Sequence, residues 1–96
     1  MLPHEPKQEY FQIKDKIDLV LSLLKKDLEG IRIIRDDPEI PDILADPGMT
    51  EHALVNLVQN AIHATSMSEH PYIFFRTYST EHIICLEIED NGCGIG

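Results

Sequence analysis

The sequence has no tryptophan, only two cysteines, and few positive charges. Cys85 and Cys93 have no second pair and no histidine pair at zinc-finger spacing, which argues against a disulfide-framed scaffold or structural zinc site; they read as reduced thiols. The longest apolar runs are a few residues, and MLPHEPKQEY is not a basic start followed by an apolar stretch. No transmembrane span or secretory signal is therefore expected, which implies a cytoplasmic location and no membrane contact by this segment. Seventeen acidic residues against eight basic give a net charge of −9, the wrong sign for holding nucleic acid by charge. Residues 51–96 contain Arg76 as their one Lys or Arg, against Glu51, Glu69, Glu81, Glu87, Glu89 and Asp90.

What is present suits one small domain. Hydrophobic residues make up 43% and charged residues 26% of 96 residues, a globular composition. Residues 1–8 are Pro-rich, polar and aperiodic and read as a linker, in which His4 has no helical context and takes no role. From Glu9 to Glu29, Tyr10, Ile13, Ile17, Val20, Leu21, Leu24 and Leu28 recur at three- and four-residue steps, predicting an amphipathic helix that Gly30 ends. Ile31–Arg35 reads as a short strand, residues 36–41 as a turn, and Ile43–Ala45 as a brief strand.

Asp46-Pro47 is a helix-start signature, carboxylate at the N-cap and proline at the first helical position. The helix it opens is expected to run from Pro47 to Ser66. At about 100° per residue it places Ala53, Leu54, Leu57, Ala61 and Ala64 on one arc and His52, Asn56, Gln59, Asn60 and His63 on the other. Solvated faces favour Lys, Glu and Arg, because Asn competes with its own backbone for hydrogen bonds; two mid-helix asparagines on one face suggest a ligand. A polar loop then leads to two β-rich runs, Tyr72–Ser79 and His82–Glu89, most simply an antiparallel hairpin. Both faces of the first run are bulky, with Ile73, Phe75 and Thr77 on one and Tyr72, Phe74 and Tyr78 on the other. The second run ends in Asp90-Asn91-Gly92-Cys93-Gly94-Ile95-Gly96, a glycine-rich loop directly after a strand.

These parts fit a nucleotide. An amide oxygen is a neutral ligand for a hard cation such as Mg²⁺, which keeps waters and phosphates in its shell. An aspartate accepts a hydrogen bond from an exocyclic amine, and glycines allow backbone to approach a flat ring or phosphate.

Glu51 to Ala61 resembles the N box of bacterial sensor histidine kinases, and Asp90 to Ile95 resembles their first glycine box. Both boxes occur in the GHKL superfamily, with gyrase, the mismatch-repair MutL proteins and the heat-shock chaperone ATPases. The resemblance covers residues 9–96. It implies an α/β fold, a two-layer α/β sandwich of the Bergerat type with helices on one face of a mixed sheet, here truncated before the lid and last strands. By the same resemblance Asn60 is a ligand of the Mg²⁺ that bridges the ATP phosphates, Asp90 reads the adenine amino group, and Gly92 and Gly94 line the adenine pocket. Asn56, His63 and Ile95 complete the implied nucleotide-binding set. Asn56 stands where hydrolysing members carry a water-activating Glu; an amide has no basic lone pair for that task, which argues for phosphotransfer over hydrolysis. His63 stands where these kinases commonly carry Lys or Arg near the phosphates.

No phospho-acceptor motif of the H-E-x-x-x-P type lies upstream. No catalytic residue is therefore assigned here. The implied function is that of an ATP-binding catalytic fragment, passing the γ-phosphoryl group of ATP to a histidine on a separate dimerisation domain and serving a response regulator indirectly. The fragment alone is expected to be inactive and to self-associate. The alternatives are a GHKL hydrolase or anti-sigma serine kinase, and a nucleotide-free interaction module.

Overall fold

The structure, a computed structural model, describes residues 7–81 and 83–91. His82, Gly92, Cys93, Gly94 and Ile95 lie outside the described residues. Seven elements follow in order: β1 (Glu9–Phe11), α1 (Ile13–Leu23), β2 (Arg32–Asp36), β3 (Ile43–Ala45), α2 (Pro47–Ala64), β4 (Tyr72–Ser79) and β5 (Ile84–Asp90). β4 is the central strand of a mixed three-stranded sheet, parallel to β2 and antiparallel to β5. β1 and β3 form a separate antiparallel ribbon.

The first helix is shorter than its apolar stripe predicts. Glu9–Phe11 is strand, with Tyr10 opposite Leu44 and Phe11 opposite Ile43. Adjacent aromatics favour a pleated surface, and the cross-strand partners here are aliphatic. Tyr10 accordingly stays 72% exposed instead of joining the helix stripe. Gln12 makes the transition: its Nε2 donates to the Ile40 carbonyl at 3.1 Å and to the Asp42 carboxylate, tying the start of α1 to the 37–42 loop. At the other end α1 stops at Leu23, yet Leu24 and Leu28 remain buried through a run of turns. Gly30 reverses the chain at φ +82°, a conformation that strains any residue with a Cβ. β2 begins one residue later than the sequence suggests, at Arg32.

The core lies between the two helices and one face of the sheet. It joins Ile13, Ile17 and Val20 of α1, Leu54, Val58 and Ala61 of α2, and Ile73 and Phe75 of β4. Ile84, Leu86 and Ile88 of β5 pack against it, half-buried, in the alternation expected of them. The other sheet face carries Phe74, Arg76 and Tyr78 of β4 with Cys85, Glu87 and Glu89 of β5. Tyr72 and Phe74 are half-buried there and Tyr78 is exposed. Across the ladder Tyr78 faces Cys85, and a hydrogen bond with that side chain, together with its charge and that of Glu87, raises the phenol above its ordinary 10.0.

Candidate functional site

α2 begins where Asp46-Pro47 predicts. Asp46 is buried; its Oδ1 accepts the Met49 N–H at 3.0 Å, satisfying one of the donors a helix start leaves over. Its Oδ2 accepts the Lys7 N–H at 3.0 Å, so one carboxylate both caps the helix and holds the incoming chain. Glu51 is paired with Lys16 of α1 at 3.1 Å, a link between the two helices.

The burial of α2 corrects the arc drawn from sequence. Leu54, Val58, Ala61 and the following Thr65 face the core, while Ala53, Leu57 and Ala64 are exposed, Leu57 by 48%. The true buried arc is centred between Leu54 and Val58; the alanines and Leu57 lie on its flank, beside the asparagines. The expected polar arc is exposed in full: His52, Asn56, Gln59, Asn60 and His63 all face outward. Asn56 and Asn60 are thus one turn apart on an accessible face, with Leu57 and Ala53 bordering them. Gly48, Met49, His52, Ala53 and Asn56 line an open cavity of about 580 Å³ on this face.

Asp90 is the last residue of β5, half-buried and opposite Ile73 in the ladder. α2 packs against β5. Asn56, Asn60, His63 and Asp90 are therefore carried by two adjoining elements, while Gly92, Gly94 and Ile95 are beyond the described residues. No group of three His, Cys, Asp or Glu suited to a metal occurs among the described residues. A cation here would take the amide oxygen of Asn60, with the remainder of its shell from phosphate and water, the donor set magnesium prefers.

Asn91 is a residue that sequence reasoning passed over. Its Oδ1 accepts the Tyr72 N–H at 2.9 Å, its Nδ2 donates to the His70 carbonyl at 2.9 Å, and its own carbonyl accepts the Ser68 hydroxyl at 2.8 Å. The only signal was its place between Asp90 and Gly92, where an asparagine reads as a turn former.

No family model matches the sequence. The sensory histidine kinase/phosphatase NtrB of Escherichia coli O157:H7 is 33% identical over 88 residues, covering 79% of this chain and 25% of that protein. The chain spans about a quarter of the length of the curated relatives it matches. Among solved structures, the catalytic domain of histidine kinase ThkA matches with a TM-score of 0.84 at 22% identity, over 94% of this chain and 62% of that one. ThkA in complex with the response regulator protein TrrA matches at 0.82 and 21% identity, over 95% and 28%. The sequence relatives are thus sensor histidine kinases, and the fold is that of histidine kinase catalytic domains.

Proposed function

We propose that this chain, a relative of sensor histidine kinases with the fold of their catalytic domains, is the nucleotide-binding part of such a kinase, with residues 9–96 forming part of its ATP-binding domain. The observation that carries this reading is the exposed Asn56/Asn60 face of α2, a helix whose other side packs against the sheet that holds β5, the strand ending in Asp90. A polar helix face of amides, with neither asparagine side chain engaged elsewhere among the described residues, is what a neutral metal-and-phosphate surface requires.

In this reading Asn60 holds Mg²⁺, which supplies neutralisation of the triphosphate charge. Asp90 accepts the adenine amino group, and Gly92, Gly94 and Ile95 line the ring. Asn56 and His63 face the phosphates. Asn56 takes no proton from water, which favours transfer of the γ-phosphoryl group to a histidine over hydrolysis. That histidine belongs to a dimerisation domain outside these residues, and the response regulator is served through it. The exposed Leu57, Leu44 and Ile83 support self-association of the isolated 96-residue chain.

The test is a calorimetric titration of the full-length protein that carries these residues, with non-hydrolysable ATP and GTP analogues in Mg²⁺. The ATP analogue should bind and the GTP analogue should not. Asp90→Asn should weaken the ATP analogue by about 1.5–3 kcal/mol, the worth of a charge-assisted bond, with folding intact. Equal affinity for both purines in the wild type, or an unchanged Asp90→Asn, would remove the adenine-reading role.

A further inference from the structure

The two ends of the proposed site sit on different layers, Asn60 on a helix and Asp90 at the end of a strand. Something must set the spacing between them. The loop from Thr65 to Pro71 that joins α2 to β4 is tied through Ser68 and His70 to Asn91, the residue that follows β5. Thr65, 1% exposed, donates its N–H to the Ala61 carbonyl at 3.0 Å, and its own carbonyl accepts the Ser68 N–H at 2.9 Å. Ser68 then donates its hydroxyl to the Asn91 carbonyl at 2.8 Å. Asn91 closes the bracket through both atoms of its amide, taking the Tyr72 N–H and giving to the His70 carbonyl, each at 2.9 Å. A continuous path of hydrogen bonds runs from Ala61, the residue after Asn60, to Asn91, the residue after Asp90.

The chemistry of the bracket is specific to an amide. Tyr72 offers a donor and His70 an acceptor, so the side chain must present one of each on a planar fork. An aspartate would set a carboxylate against the His70 carbonyl, and an alanine would leave the two main-chain groups to water.

We infer that Asn91 and Ser68 are positioning residues that hold Asp90 at a fixed spacing from Asn60, so that one ligand spans both. This rests on the nucleotide reading above. Neither residue is assigned a contact with the ligand; they act through the main chain on either side of it.

The experiment uses the full-length protein with Mg²⁺ and a non-hydrolysable ATP analogue, comparing wild type, Asn91→Ala, Ser68→Ala and Ser68→Thr. Amide exchange at Tyr72 is followed in the nucleotide-free state. Ser68→Ala should bind the analogue about three- to tenfold more weakly, the scale of one lost intramolecular hydrogen bond, and Asn91→Ala, which loses two, at least as weakly, with far-ultraviolet circular dichroism unchanged. Ser68→Thr, which keeps the hydroxyl, should restore affinity, and Asn91→Ala should speed exchange at Tyr72. If Asn91→Ala does not fold, the Ser68 pair alone decides. Wild-type binding with affinity unchanged in Ser68→Ala, or no recovery in Ser68→Thr, overturns the positioning role and leaves the nucleotide reading standing. A wild-type protein that binds no analogue overturns that reading and the positioning role with it, even where Tyr72 exchange responds.

Discussion

Arg76 lies 3.7 Å from Glu87 and stacks its guanidinium 5.5 Å from the centre of the Phe74 ring, on the sheet face away from both helices. Strand alternation requires this: Ile73, Phe75 and Thr77 of β4 point into the core, so Arg76 points out. The single Lys or Arg of residues 51–96 is therefore held among Phe74, Glu87 and, at 3.9 Å, Asp36, behind the sheet from Asn56 and Asn60. A triphosphate on α2 gains nothing from it directly.

Arg76→Ala should accordingly change nucleotide affinity by less than about twofold, since its exposed ion pairs are weak and act on the far face. Fluorescence titration with a labelled ATP analogue checks this. A loss of tenfold or more would place the phosphates elsewhere.

Asp46 should matter for stability. Replacing it with alanine removes the cap on α2 and the acceptor for Lys7, and should cost about 1–2 kcal/mol in chemical denaturation. Asp46→Asn keeps an acceptor for the Met49 N–H and should recover most of that loss.

Thr77 carries the opposite expectation. Thr77 is 2% exposed on the core face of β4, and its hydroxyl has no hydrogen-bond partner among the described residues. Valine has nearly the same shape without the unsatisfied hydroxyl, so Thr77→Val should leave stability unchanged or raise it by about 1 kcal/mol. A clear destabilisation in the same denaturation assay would show that the hydroxyl is satisfied in solution.

Much of the fold is legible in local chemistry. Asp46-Pro47 announces α2 because a cap and an N1 proline act within one turn, and Ile43–Ala45 and Tyr72–Ser79 are found as strands at the bounds predicted. What local chemistry misses is decided at a distance. Tyr10 sits at helical spacing from Ile13, yet pairing with Leu44, far along the chain, makes it strand. Alanine suits either flank of a helix, so Ala53 and Ala64 pull the inferred apolar arc of α2 away from Val58, which the tertiary packing buries. The polar arc escapes this error because an amide face offers no apolar surface to bury. The Asn91 bracket is invisible in sequence for the same reason as β1: a turn-forming residue announces a turn, whereas its partners His70, Tyr72 and Ser68 are fixed only once β4 and β5 are paired.

The most direct measurement is calorimetric titration of a non-hydrolysable ATP analogue into the full-length protein, with Mg²⁺ and with excess chelator, for wild type and Asn60→Ala. Arg76, the single Lys or Arg of residues 51–96, lies behind the sheet, so the proposed function assigns the neutralisation of the phosphate charge to a metal and makes Asn60 its ligand. Wild type should bind in Mg²⁺ and lose that binding in chelator; Asn60→Ala should keep its fold and show no Mg²⁺-dependent binding. Binding by Asn60→Ala that matches the wild type in Mg²⁺ would contradict the account.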